Sequence, residues 1–554
     1  MKARDLALRV LLAVTPLACG ETTKQAATTK PIDMPTHGGG ADNGAGGEAT
    51  VPAAPVCSSP QPGPYAMMGL ENPSLRKTAL DLLRDLPAVS AELERELGRL
   101  PADDADDGYD APSIEALHLA ARAVGRAFAA DASALTALAG CAPAQSDEDV
   151  CREQLLRRLL RSAFRRPPTE DDIADMRGVF ATGRQLGGDF VSGARAVLEV
   201  TLQSPEFLYL IEQGTGETAG DTVALTPHET AVRMAYFLTA GPPDAELAAL
   251  ADSGPLSEAS LEEQARRLLE TAAGHEVVRS FMDRLLGLDG SFGAHGPEYD
   301  AIAAFAREES ARFVEDVTFE GAGTFEALFS EPSTWVNGPL AQLYGLPGVS
   351  GETFQRVALD ATKRAGILTQ AAFLASHPRP VPRGLAVLER LLCVPIEPPP
   401  VNVPATLPQP ASMASQRQQL TVFTSQAECQ QCHRQLDLLG FAFENFDALG
   451  RWRDTENGSL VDASGTLFVT DQQGSFGNAV ELVQRIAASS DARACFASHW
   501  LEHAQGRPLS PADDCARQRL EAVLDETGGN IRELLVALAR IDQFRYRLKS
   551  ELLP

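Results

Sequence analysis

The chain has 554 residues, 44% of them hydrophobic and 22% charged, enough for two to four domains with packed cores and inconsistent with a wholly disordered polymer. Its formal net charge of -27 repels phosphate backbones and argues against a nucleic-acid partner.

The first twenty residues read MKARDLALRVLLAVTPLACG. Lys2, Arg4 and Arg9 form a basic region, and Val10 to Ala18 form a short apolar one that ends in small residues before Cys19. This is the pattern of a secretory signal over 1–19, too short to span a bilayer. Pro-Leu-Ala-Cys-Gly resembles a bacterial lipobox, with Pro16 where an aliphatic residue is usual, so Cys19 is the expected lipidation site. The alternative is an ordinary cleaved signal with an incidental cysteine. Residues 20–62 are rich in Thr, Ala, Gly and Pro and read as a flexible tether. No later segment approaches about 20 uninterrupted apolar residues. Membrane attachment is therefore expected through lipid alone, which makes the chain an exported periplasmic or cell-surface lipoprotein, assigned to the outer membrane.

Beyond residue 62 helical signals dominate. SLRKTALDLLRDLPAVSAELERELGRL carries apolar residues three and four apart. Asp103, Asp104, Asp106, Asp107 and Asp110 lack the alternating spacing of a calcium loop, and no calcium is expected. Capping boxes are expected at Thr169/Asp172, Thr226/Glu229, Ser260/Glu263, Ser510/Asp513 and Asn530/Glu533. The fold class is mostly α: two or three packed helical domains, with at most a small β-hairpin near 459–469. The expected divisions are an N-terminal helical domain (63–212), a central helical domain (213–393) and a Pro-rich linker with its lead-in (394–427). A Cys-x-x-Cys-His segment (428–475) and a C-terminal helical module (476–554) follow.

One motif recurs. RRPPTEDDIADMRGVFATGRQLGGDF from Arg165 aligns without a gap to GRPLSPADDCARQRLEAVLDETGGNI from Gly506. Arg166-Pro167 matches Arg507-Pro508, and Gly187-Gly188 matches Gly528-Gly529. Each copy ends in an aromatic run, SPEFLYL or IDQFRYR, and has a cysteine upstream, Cys151 or Cys495. The unit reads as a duplicated module: helix, proline corner, capped helix, Gly-Gly stop, helix.

The segment ECQQCHRQLDLLGFAFENFDALGRWRD, from Glu428 to Asp454, carries the chemistry. Covalent haem needs two thiols one helical turn apart and a histidine immediately after; Cys429, Cys432 and His433 supply them. The cofactor expected is therefore haem c, with His433 on the iron. A disulfide between Cys429 and Cys432 and a zinc site lacking its fourth ligand are the alternatives. No methionine follows Met413, so a downstream Met ligand is excluded. His377 is the first candidate for the second iron ligand, His499 and His503 come next, and a five-coordinate iron is the remaining option. Phe441, Phe443, Phe446 and Trp452 are candidates to wall a macrocycle, and Arg451 and Arg453 to pair with its propionates.

Nine cysteines are present. With Cys19 lipidated and Cys429 and Cys432 on haem, six remain, which suits three disulfides. The local pairings are Cys141–Cys151 and Cys495–Cys515, leaving Cys57–Cys393.

LLRRLLRSAFRRPPTEDDI, LTPHETAVRMAYFLTAGPPDAEL, FSEPSTWVNGPLAQLYGLPG, RAGILTQAAFLASHPRPVPRG and CQQCHRQLDLLGFAFENFDALGRWRD resemble, in this order, a family of secreted cytochrome-c-like proteins of planctomycetes and myxobacteria. The family is built from consecutive domains of unknown function, and the resemblance runs from about 110 to 548. It implies a haem protein of the cell envelope and leaves the reaction open. Where the family has Met-Asp-Pro, this chain has Leu436-Asp437-Leu438. The functional expectation is an envelope-anchored c-type cytochrome-like protein. It would act in electron transfer, or as a haem-dependent oxidoreductase on an unidentified extracytoplasmic substrate or redox partner. The alternative is a cofactor-free, disulfide-stapled helical surface lipoprotein that acts as a binding or structural module.

Overall fold

The computed structural model describes residues 68–100, 109–143, 147–216, 218–219, 221–288, 296–396, 415–425 and 427–549. The signal region with Cys19, the tether, Cys57 and the aspartates 103–107 lie outside the described residues; Asp110 caps the helix Ala111–Ala130 through Ser113 N. α-Helices carry most of the described residues, as the apolar spacing requires. No described helix is long and apolar enough to cross a membrane.

Local caps set the helix starts. Thr169/Asp172, Thr226/Glu229 and Ser510/Asp513 form complete capping boxes, and Ser415/Gln418 adds a fourth. Two expected boxes differ. The helix Glu258–Leu269 begins earlier than Ser260, because Ser257 accepts from Ser260 N and takes the cap itself. Asn530 caps Ile531–Leu538 through Glu533 N, but the Glu533 carboxylate is drawn away by Arg266 at 2.6 Å.

The hairpin region 459–469 is divided between two antiparallel pairs, Thr455–Glu456 with Ser459–Leu460 and Gly465–Leu467 with Gly474–Phe476. Asn457 and Gly458, both at positive φ (48° and 83°), make the tight turn of the first. Three further short sheets tie distant segments: Met68–Gly69 with Tyr209–Leu210, Ser333–Val336 with Gln355–Ala358, and Tyr546–Leu548 with Thr222–Ala224 and Thr218–Ala219.

Side chains bury into two cores. One is gathered from residues 70–210 and includes Phe128, Leu155, Phe180, Val197 and Phe207. The larger runs from Ala231 to Phe544 and includes Phe313, Phe373, Phe443 and Trp500. The described residues belong to a single compact unit, Pro60–Leu553.

The duplicated module is real down to its side-chain bonds. The helix Glu148–Phe164 ends at Arg165 (φ 57°), and Ser490–Gln505 ends at Gly506 (φ 62°), both left-handed. In each copy the next arginine spans the corner. Arg166 Nη1 donates to Pro167 O (3.2 Å) and to Asp172 (2.7 Å); Arg507 Nη1 donates to Pro508 O (2.9 Å) and to Asp513 (2.8 Å). The two copies close on each other at a buried ion cluster. Glu212, just past the first copy, sits 2.7 Å from Arg233 and bonds Arg547 in the last strand of the second. Buried charges are costly unless they are paired in this way or fully hydrogen-bonded.

Cys141–Cys151 forms as expected, but the other local pairing does not. Cys495 is joined to Cys393, 102 residues away, instead of to Cys515, and this also removes the Cys57–Cys393 pairing. The reason is packing. Cys495 faces the turn that follows Ala386–Leu391, its sulfur 3.9 Å from Arg390 O, while Cys515 lies on the next helix, Asp514–Glu526. Cys515 is itself disulfide-bonded.

A candidate cysteine–histidine site

The helix Ala427–Phe441 carries Cys429, Cys432 and His433. Its C-terminal half is core, with Leu436, Leu439 and Phe441 buried, and the cysteine end is half-buried. Two glycines fix its seat. A Cβ on Gly440 would stand 2.1 Å from Pro380 O, and one on Gly384 would stand 2.0 Å from Leu436 O. The helix therefore packs backbone to backbone against Pro380–Leu385 and cannot slide.

Cys429 and Cys432 are free thiols, one turn apart. His433 Nδ1 lies 2.7 Å from Asp437 Oδ1, on the next turn. The buried Asp437 is held in turn by Thr424, whose hydroxyl donates to Oδ2 at 2.9 Å. A carboxylate only accepts, so His433 carries its proton on Nδ1 and presents Nε2 as a lone-pair donor. Among the described residues Nε2 has no hydrogen bond. The Asp437 bond raises the His433 pKa from its ordinary range, against the desolvation that lowers it.

The loop after this helix is fastened from the central region by two arginines. Arg383 is buried and spends its guanidinium on five backbone carbonyls: His377 (2.7 Å), Phe443 (3.0 Å), Phe446 (3.2 Å), Leu374 (3.2 Å) and Asp447 (2.9 Å). Burial lowers its pKa to about 10. Arg364 donates to Thr369 O (2.5 Å) and Gly450 O, and stacks 4.0 Å over Tyr344. Tyr344 donates to Glu309 at 2.6 Å, which Thr334 also reaches at 2.8 Å. Desolvation raises Glu309 to about 7, so this carboxyl is half-protonated near neutrality.

The candidate residues fall in three places. Cys429, Cys432 and His433 share one helix end. Phe441 closes that helix and the other aromatic and arginine candidates fill the loop after it, while His377 follows the helix Ala371–Ser376 and His499 and His503 lie on Ser490–Gln505. Phe441 is buried, with Arg417 4.8 Å over its ring. Phe443 and Phe446 are core, and Trp452 meets Phe446 edge-on at 5.4 Å while its indole N–H bonds Asp454 at 2.9 Å. Arg451 pairs with Glu298 (3.1 Å) and Asp447 (3.5 Å), and Arg453 with Glu444 and Glu456 (both 3.1 Å). His377 is buried, its ring 4.7 Å from Phe373 and its Nδ1 3.0 Å from Phe373 O. His499 Nδ1 lies 3.2 Å from Glu502 and His503 Nδ1 3.2 Å from Arg284. Desolvation and that neighbouring charge push the His503 pKa down.

Asp437, Thr424, Arg364 and Arg383 were not singled out from sequence. Only Asp437 left a local signal there, four residues after His433.

Four family models match in succession, each described as a protein of unknown function: DUF1595 over 151–212, DUF1592 over 225–346, DUF1588 over 364–456 and DUF1585 over 472–544. No curated protein and no solved structure matches. The chain is thus an array of consecutive domains of unknown function. The two copies of the repeated module fall under different models, DUF1595 and DUF1585, and the cysteine helix lies in the DUF1588 match together with Arg364 and Arg383.

Proposed function

We propose that this four-domain chain is a c-type haem protein of the cell envelope that transfers electrons, anchored by lipid at Cys19. The observation that carries the reading is the donor set on the helix Ala427–Phe441. Two thiols stay reduced and one turn apart in a chain whose other described cysteines are all oxidised. The adjacent histidine has its Nδ1 fixed on a buried carboxylate, the second-shell arrangement typical of metal-ligating imidazoles.

These residues fit a covalently held haem: Cys429 and Cys432 would carry it and His433 Nε2 would ligate it. Bound there, haem would supply a one-electron redox centre. Asp437 holds the proton on His433 Nδ1 and makes Nε2 more basic. Thr424 orients Asp437. The Gly440–Pro380 contact and the five carbonyls on Arg383 keep the helix and its following loop rigid, so the imidazole is pre-positioned.

One observation favours a second reading, a cofactor-free binding module. Arg451, Arg453 and Trp452 are already engaged by protein partners.

The visible spectrum and pyridine haemochrome of the chain, exported in a host that matures c-type cytochromes, separate the two readings. The expected result is a covalent haem signature that Cys432→Ala abolishes. His433→Ala should alter the iron spectrum while leaving haem attached. A colourless, folded protein would overturn the haem reading in favour of the second.

A further inference from the structure

A second pair of cysteines and a histidine converge away from the cysteine helix. Cys495 and His499 lie one turn apart on the helix Ser490–Gln505, and Cys393 is brought to them by its disulfide to Cys495. One ligand atom from each of the three lies within 4.8 Å of the others. His499 Nε2 stands 3.6 Å from Cys393 Sγ, and His499 Nδ1 is 3.2 Å from the Glu502 carboxylate. Cys393 is exposed, His499 half-buried and Cys495 buried.

We propose that this disulfide is the oxidised form of a zinc site. On reduction by a dithiol, the Cys393 and Cys495 thiolates and His499 Nε2 bind Zn²⁺, with water in the fourth position. The dithiol gives two electrons and two protons to the S–S bond and becomes a disulfide itself. Zn²⁺ then displaces the two thiol protons into solvent. The geometry is nearly in place. Tetrahedral zinc with Zn–S of about 2.3 Å and Zn–N of about 2.0–2.1 Å sets sulfur and nitrogen about 3.5–3.6 Å apart. The present Sγ–Nε2 separation already meets this. Glu502 fixes the tautomer that turns Nε2 toward the sulfurs, and the exposed side at Cys393 admits water.

The test uses the full chain carrying Cys429→Ser and Cys432→Ser, so that no metal is taken by the first site and the result is independent of the haem reading. Phosphine-reduced and oxidised proteins are titrated with Zn²⁺, and with Co²⁺ as the spectroscopic probe. We expect one tight Zn²⁺ per chain after reduction and none before, with a cobalt spectrum showing thiolate charge transfer. His499→Ala leaves the disulfide and the starting fold intact and should weaken binding at least about 100-fold. Glu502→Gln should weaken it about 10–100-fold. Metal affinity of the reduced chain that is unchanged by His499→Ala would overturn the proposal. So would reduction that yields no zinc binding or unfolds the chain.

Discussion

Cys429, Cys432 and His433 come from five consecutive positions of one helix, whereas Cys393, Cys495 and His499 come from two elements 102 residues apart. Both sets place a histidine with Nδ1 on a carboxylate, Asp437 in one and Glu502 in the other. Their redox states differ: the first pair is free and the second is joined. Side chains three apart on a helix are neighbours with Cβ atoms about 5–6 Å apart, wider than the about 3.5–4.5 Å that a disulfide needs, so the first pair stays open unless the helix adjusts locally. Cysteines on separate elements meet wherever packing brings their Cβ atoms within reach. The first site therefore depends on what holds its helix, and the second holds its own surroundings together.

The largest expected effect falls on the first site's framework. Arg383→Met would remove a donor from five carbonyls, two of which, Phe443 O and Asp447 O, also accept from Phe446 N and Gly450 N; at about 1–3 kcal/mol for each of the other three, a loss of about 5 kcal/mol is expected in urea unfolding, with the 443–447 loop exposed to proteolysis. A loss below about 1 kcal/mol would show that the loop does not rely on it. Next comes the second site. Replacing Cys393 and Cys495 by serine reopens a loop of 102 residues and should cost about 4 kcal/mol, read from the shift in denaturation midpoint. An equal midpoint in wild type and variant would mean that packing alone holds that junction.

A third effect is pH-dependent and acts through Arg364 on the first site alone. Burial holds the Glu309 carboxyl protonated to about 7, against an ordinary value of 4.5. Its contribution to stability is thus complete below about 4.5 and is lost as pH rises through about 7, on the order of 3 kcal/mol in total. Glu309→Gln should flatten that decline in thermal melts between pH 5 and 8; a variant that keeps the slope would move its cause elsewhere. The smallest effect is local. Asp437→Asn weakens the hydrogen bond and removes the charge that together raise His433, so the imidazole of the haem-free protein should titrate at lower pH by NMR, with little change in melting temperature. A His433 pKa that does not fall would remove Asp437 from its proposed role.

Features written over a few residues were legible in the sequence. The Thr169 and Ser510 boxes and the repeated Arg-Pro corner are set by bonds between residues at most six apart, and the Cys-x-x-Cys-His order lies within about one helix turn. A helix imposes that geometry wherever it sits. The same locality misled at Cys495, where the nearer Cys515 looked like the partner and the true one came from another element. Arg383 and Arg364 gave no signal, because an arginine that serves distant carbonyls looks like any other until the chain has folded. Phe441, Arg451, Trp452 and Arg453 were visible as a group near the motif, but proximity along the chain did not say which way they would face.

By itself, then, the sequence determined a mostly helical chain, its caps, its repeated corner and a thiol–thiol–imidazole order on one helix turn, since each follows from backbone periodicity and nearest-neighbour bonding. Tertiary packing alone decided that Cys495 pairs with Cys393, that His433 is backed by an aspartate held by Thr424, and that the adjoining loop hangs on Arg383. Those outcomes depend on which surfaces bury together, a property of the whole chain and of no segment within it.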